Sequence, residues 1–293
     1  PPEDDGMHEQ QEDAPGEPDA ETGHRAEPTA EDRQAEADAD DRWMMTYNCN
    51  GLRMQMRRPG GRRIAGAWGN GRDLRARPDD TAARTLREVR EGNALVAVLT
   101  DTHLEGEELT AMRGYMAGMG FDSSATDAEN GRGGVIVMWD AGRMAKIGKE
   151  KVVIGARMVA VTLRELGSDM RMEVVGTYVH CRGSANMDTT DKDGNQPEWK
   201  SKVKHVWKAL EEKTKGNEKV VVAGDLNAET RTALARAGRG AKWQDNALQR
   251  MIGEAQLHTK SVRRATYQER SEIDHILAGR EAAEILHRPE WRP

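Results

Sequence analysis

Cysteine is almost absent from this chain: Cys49 and Cys181 are the two in 293 residues. They form no CxxC pair, so neither a disulfide framework nor a structural zinc site can be assembled, and such sparse cysteine fits a reducing intracellular compartment. Long apolar runs are missing as well. None approaches the roughly 18 residues of a membrane span, and the acidic start has neither the basic nor the apolar region of a signal peptide. No membrane partner is expected. No internal repeat is visible, and the first residue is Pro1 rather than Met.

What is present is charge, unevenly placed. Residues 1–42 hold 16 Asp and Glu against 3 Arg, whereas residues 43–293 hold 41 Lys and Arg against 34 acids, so the net charge of −6 hides a basic body. The first segment has almost no large apolar side chain and cannot bury enough surface to offset the entropy of ordering. We therefore expect a disordered acidic tail over 1–42 and a folded domain over 43–293, beginning where WMMTYNCNGL brings apolar and aromatic residues. A positive body favours a polyanionic partner.

The domain is organised around KVVVAGDLNAET, residues 219–230. Val220 to Ala223 read as a short buried strand that Gly224 ends, delivering Asp225 and Asn227 at its exit. Side chains two apart on extended backbone point the same way, so these two are expected to face one pocket while Leu226 turns into the core. The same device recurs upstream: ALVAVLT, residues 94–100, ends in Asp101-Thr102-His103. Residues 133–139, 152–163, 170–178 and 271–277 read as further strands, the last two carrying Tyr178 and Asp274.

Residues 81–91 are expected to form a helix with Ala82, Leu86 and Val89 on its packing face and Thr81 as N-cap. Residues 197–213 form the clearest helix. Trp199, Val203, Trp207 and Leu210 recur there at helical spacing, which marks them as core residues rather than a platform for bases. Helices do not separate every pair of strands, so mixed sheets covered by helices are expected rather than a strict doubly wound parallel sheet. Between Arg53 and Arg77 eight arginines accompany a single acid, Asp73. That pattern predicts a basic loop or exposed insertion suited to a phosphate backbone, and equally fits a solvated, variable loop.

Asn48, Asp101, Tyr178, Asp225, Asn227 and Asp274 form an oxygen-rich set with three carboxylates and no thiolate. It suits a hard cation such as Mg²⁺, with Mn²⁺ as the alternative, and hence metal-assisted phosphoester hydrolysis.

In order along the chain, YNCNGL, LTDTHL, GRGGVIVMW, VVGTYVH, VVVAGDLN and SEIDHIL resemble the motifs of the endonuclease/exonuclease/phosphatase, or deoxyribonuclease I-like, superfamily. The resemblance spans residues 43 to about 287 and is strongest to endonuclease domains of LINE-type retrotransposons. It implies a four-layer α/β sandwich of two mixed β-sheets flanked by helices, acting as a Mg²⁺-dependent DNA-nicking phosphodiesterase in the nucleus. A covalently linked reverse transcriptase would follow in the full polyprotein. By the same resemblance, Asp101 and Asn48 hold the metal, Tyr178 contacts the scissile phosphate, and Asp225 and Asn227 position water and transition state. Asp274 orients a terminal catalytic histidine. Thr266 matches a threonine near the DNA. From the charge pattern of their own segment, Arg53, Arg57, Arg58, Arg62 and Arg63 are expected to supply phosphate contacts.

Two features depart from the family pattern. Asp101 stands where the family has glutamate, and no Ser-Asp-His follows SEIDHIL, since His275 belongs to the strand motif itself and His287 lies in HRPEW. We expect a domain truncated at its C-terminus, lacking its last strand and impaired in activity. The alternatives are a catalytically inactive domain of the same fold that binds DNA or a partner, and a phosphodiesterase acting on lipids or nucleotides.

Overall fold

Two β-sheets lie face to face, each covered on its outer side by helices. The computed structural model describes residues 44–52, 54–57, 75–78, 80–179, 198–238, 240–259 and 274–286. The expected acidic tail, Thr266, His180 and His287 lie outside them, as do Arg53, Arg58, Arg62 and Arg63.

The first sheet has the order β1-β4-β6-β5, from β1 (Met44–Asn48), β4 (Val96–Thr100), β6 (Val135–Asp140) and β5 (Phe121–Thr126). The second runs β11-β12-β10-β9-β8-β7, from β11 (His258–Thr259), β12 (Asp274–Ala278), β10 (Val220–Asp225), β9 (Arg171–Tyr178), β8 (Met158–Glu165) and β7 (Met144–Ile154). Both are mixed, because β1 pairs with β4 and β9 with β10 in parallel while the remaining pairs are antiparallel. This is the architecture expected from the motifs.

Strand alternation builds the layers. In β4, Val96 and Val98 enter the core between the sheets, whereas Ala97 and Leu99 face the outer layer. In β10, Val221 and Ala223 point between the sheets and Val220 and Val222 point outward. The outer core of the first sheet is completed by Ala82, Leu86 and Val89 of α1 (Asp80–Glu91) and by Leu109, Met112 and Met116 of α2 (Gly106–Gly118). On the second sheet, Val203, Val206, Trp207 and Leu210 of α3 (Glu198–Thr214) pack with Leu248 and Met251 of α5 (Trp243–Glu254). Trp207 is thus a core residue, as its spacing predicts. The short helices α4 (Arg231–Ala237) and α6 (Arg280–Ile285) follow β10 and β12.

Three local expectations are corrected. Residues 152–163 are not one strand: β7 ends at Ile154, a single 3₁₀ turn (Gly155–Arg157) reverses the chain, and β8 returns antiparallel to it. Helix α1 starts at Asp80, which places Thr81 inside the helix rather than at its cap. The basic segment is no plain loop, since its ends form the antiparallel pair β2 (Met54–Arg57) and β3 (Arg75–Pro78), Met54 opposite Pro78.

Candidate active site

The alternation that fills the inner core also selects what stands at its end. Asp225 shares the face of Val221 and Ala223, Asp274 that of Ile276 and Ala278, Tyr178 that of Val174, and Asn48 that of Met44, all directed between the sheets. Register then aligns them. Asp225 lies opposite Asp274 across the β10–β12 pair and beside Tyr178 across β9–β10, while Asn48 sits beside Thr100, the residue before Asp101. Four strands and one strand exit thereby converge on one end of the sandwich.

Gly224 explains why β10 can close so tightly. Its φ is +137°, and a Cβ there would run into the carbonyl oxygen of Thr177 on β9 and come within 3.0 Å of Thr100 Cγ2 from the other sheet. Only a residue without a side chain lets β10 deliver Asp225 at that depth.

The Asp225 carboxylate is gripped from two sides. Asn48 Nδ2 donates to Oδ2 at 2.6 Å across the gap between the sheets, and the Asn227 backbone N–H donates to Oδ1 at 2.9 Å. Burial pushes the Asp225 carboxyl well above the usual range, and the facing Asp274 and the nearby Asp101 push the same way against the lowering effect of those two hydrogen bonds. The pair Asp225 and Asn227 is brought together differently from expectation. Asn227 has a left-handed φ of 47°, so a turn closed by its own N–H, not continued extension, turns it back, and its Nδ2 donates to the Val179 carbonyl at 2.6 Å. Leu226 is buried in the outer core, as expected.

Asp101 sits in a sharp left-handed turn, with φ of 51° there and 59° at His103. Such conformations cost about 1–3 kcal/mol each in residues with a side chain and persist where the surroundings hold them. Here Asp101 Oδ1 accepts from Gly133 N–H at 3.2 Å and lies 3.0 Å from His103 Nε2, while the backbone N–H of His103 donates to Gly133 O at 2.8 Å. His103 is thus a neighbour of the expected metal ligand that the sequence reading left without a role. His275 is no part of this site. Its strand parity points it to the opposite face, where it is buried and Nε2 donates to the Ala228 carbonyl at 2.6 Å. Cys49 is buried with its thiol pushed far up by burial and by Asp101 and Asp274, which leaves it a protonated core residue.

Among the described residues no three His, Cys, Asp or Glu side chains form a ready metal cluster. The donors present are carboxylate and amide oxygens, a set that fits a Mg²⁺ held by one or two carboxylates plus waters and substrate oxygens. None of the helices formed by the described residues is long and apolar enough to cross a membrane.

No family model and no curated protein sequence matches the chain. Solved structures do. A 3′-5′ exonuclease (NExo) from Neisseria meningitidis superposes with a TM-score of 0.50 at 14% identity, covering 67% of this chain and 81% of that one. The endonuclease domain of TRAS1, a telomere-specific non-LTR retrotransposon, gives 0.43 at 16% identity over 67% and 77%. The AP endonuclease LMAP from Leishmania major gives 0.46 at 14% over 70% and 75%. Two mixed sheets packed face to face, clad in helices and carrying the strand-end carboxylates at one end, are the deoxyribonuclease I-like fold.

Proposed function

We propose that the chain is a divalent-metal-dependent phosphodiesterase that nicks DNA, the endonuclease domain of a retroelement polyprotein with a linked reverse transcriptase. One observation carries the phosphodiesterase reading. A carboxylate, Asp225, is buried between two sheets, fixed by Asn48 and Asn227, and flanked by two further carboxylates that disfavour its ionisation. Without a cation, three such groups at one strand end are an electrostatic cost with no return.

Asp101 and Asn48 are the residues that would hold Mg²⁺, which supplies a Lewis acid for a phosphoryl oxygen. The chain's own groups do the rest. Each Asp225 oxygen accepts one protein hydrogen bond, and the remaining lone pairs are free to take a proton from an attacking water. Asn227, anchored through Nδ2 to Val179, keeps its side-chain oxygen for orienting that water. Tyr178, beside Asp225 in the ladder, presents a hydroxyl to the phosphate. The retroelement assignment is supported by the wording of YNCNGL, LTDTHL and SEIDHIL, and DNA as substrate by the basic body.

Relaxation of supercoiled plasmid tests the reading: Mg²⁺-dependent nicking that chelator abolishes and Asp225→Ala lowers is the expected result. DNA binding with no cleavage at any metal concentration would favour the inactive binding domain, which Asp101 in the place of the family's glutamate already supports.

A further inference from the structure

Tyr178, Asp225 and Asp274 form one rung of the second sheet at the candidate site, side by side across β9, β10 and β12. One residue deeper lies a second rung, Thr177, Gly224 and His275. Strand parity turns it to the other face, because Val175 on β9, Val222 on β10 and Leu277 on β12 all enter the outer core beneath α3 and α5. Thr177 and His275 are fully buried there. Gly224, between them, brings no side chain to that face.

Each of the two carries a buried polar atom that meets no hydrogen-bond partner, Oγ1 of Thr177 and Nδ1 of His275. Their chemistry is complementary. His275 Nε2 faces the Ala228 carbonyl at 2.6 Å, and a carbonyl only accepts, so Nε2 carries the ring proton. Burial lowers the pKa of the ring and keeps it neutral at neutral pH, which makes Nδ1 an acceptor in need of a donor. The Thr177 hydroxyl is such a donor. Neighbouring strands are spaced at roughly 4.8 Å, so two residues flanking a third strand stand roughly 9–10 Å apart at their Cα atoms, too far for two short side chains to bond directly. The gap left over the glycine suits one water with a hydrogen bond at each end, and without it both atoms would keep an uncompensated desolvation cost.

We propose that one buried water bridges Thr177 Oγ1 and His275 Nδ1 across Gly224, and that these two are positioning residues for Tyr178 and Asp274. The inference rests on the phosphodiesterase reading above and adds to it how the strands on either side of Asp225 are held. Tyr178 follows Thr177 and Asp274 precedes His275, so a shift of either strand carries a side chain of the site with it. Gly224 has nothing with which to prop the strands, whereas the bridge fixes their separation one rung behind the chemistry.

The test uses the full chain with ¹⁵N-labelled histidine and follows His275, one of eight histidines, through the resonance lost in His275→Gln. In neutral to basic buffer the ring should show the Nε2–H tautomer, an Nδ1 shift typical of a hydrogen-bonded acceptor, and a nuclear Overhauser contact to a long-lived water. Thr177→Val keeps the side-chain shape and removes the hydroxyl, so it should move the Nδ1 shift to that of a bare acceptor, and Thr177→Ser should restore it. On supercoiled plasmid with saturating Mg²⁺, Thr177→Val should lower the single-turnover nicking rate about tenfold at unchanged DNA affinity, with most of the loss recovered in Thr177→Ser. His275→Gln retains a donor for Ala228 but no acceptor at the Nδ1 position, so it should lose about the same factor, and adding Thr177→Val to it should cost nothing further. A parent-like Nδ1 shift in Thr177→Val, or no water contact in the parent, overturns the bridge. A parent-like rate in Thr177→Val, or losses that multiply in the double variant, overturns the positioning role while leaving the phosphodiesterase reading intact. If Thr177→Val does not fold, the water contact in the parent and the rate of His275→Gln decide. A parent chain that does not nick plasmid overturns the phosphodiesterase reading itself, and the bridge then stands or falls on the resonance.

Discussion

Single residues in this site have separable jobs. On the proposed reading Asp225 and Asn227 make contacts that matter most as charge develops on the phosphate, so Asp225→Ala or Asn227→Ala should lower nicking at least ~10²-fold while DNA affinity changes little. Plasmid relaxation beside gel shift measures both, and parallel loss of the two would assign these residues to structure instead. His103 acts one step back. Its ring lies 3.0 Å from Asp101 Oδ1 and helps fix a carboxylate on a left-handed backbone. Removing such a neighbour typically weakens metal affinity ~10–100-fold, so His103→Ala should raise the Mg²⁺ concentration needed for half-maximal nicking by about that factor. An unchanged Mg²⁺ titration would show that Gly133 alone suffices to hold Asp101. Asp101 and Asp225 could be read from the sequence because each follows an apolar run, and Asp274 because it opens the strand of SEIDHIL. His103 could not, since it merely precedes an ordinary helix start.

Elements whose apolar spacing matches their period were legible: β4, β10 and α3 each show in sequence the faces they bury. Where local pattern is weak, packing decides. Helix α2 contains three glycines, Gly106, Gly114 and Gly118, and gains its place from Leu109, Met112 and Met116 against the first sheet. The run 152–163 is apolar on both sides of Gly155 and so conceals a reversal that depends on β7 and β8 finding each other. Strand β10 depends on Gly224 in the same way. Gly224→Ala should cost several kcal/mol, in the range of severe core changes above ~3 kcal/mol, read as a lower urea midpoint. A midpoint within error of the parent would mean that β9 can yield. Strand β12 carries a titration of its own. His275 is buried, chiefly burial lowers its pKa, and its ring bonds to Ala228. Below the unfolded value of about 6.5 the unfolded chain binds more protons here than the folded one. Stability present above that pH is therefore lost as pH falls through it toward the lowered folded-state value. His275→Gln should flatten the fall in urea midpoint between about pH 7 and 5.5, and an undiminished fall would place the acid sensitivity in the carboxylates.

At the scale of the molecule, the site is assembled from segments far apart in sequence: Asn48 reaches across to Asp225, 177 positions away. No local pattern specifies that meeting. It follows from two sheets whose inner faces are apolar and whose strands end together, which is why the motif order was more informative than any single stretch. Charge is distributed on the same scale, with 16 of the 50 acids in residues 1–42 and eight arginines between Arg53 and Arg77. The described ends of that basic segment pair as β2 and β3, a hairpin that brings Arg57 opposite Arg75 in the ladder. So basic a segment favours a polyanionic partner, and a DNA backbone offers a row of anions. Neutralising Arg57, Arg58, Arg62 and Arg63 together should reduce the salt slope of DNA binding by about 0.9 for each phosphate that these arginines neutralise in the parent. Base preference at the nick should not change, because phosphate contacts position the duplex without reading it. Fluorescence anisotropy across a salt series, with nick sites mapped on a labelled duplex, separates the two effects. A parent-like slope would leave the arginines as a solvated surface, and an altered nick pattern would instead place the hairpin against base edges.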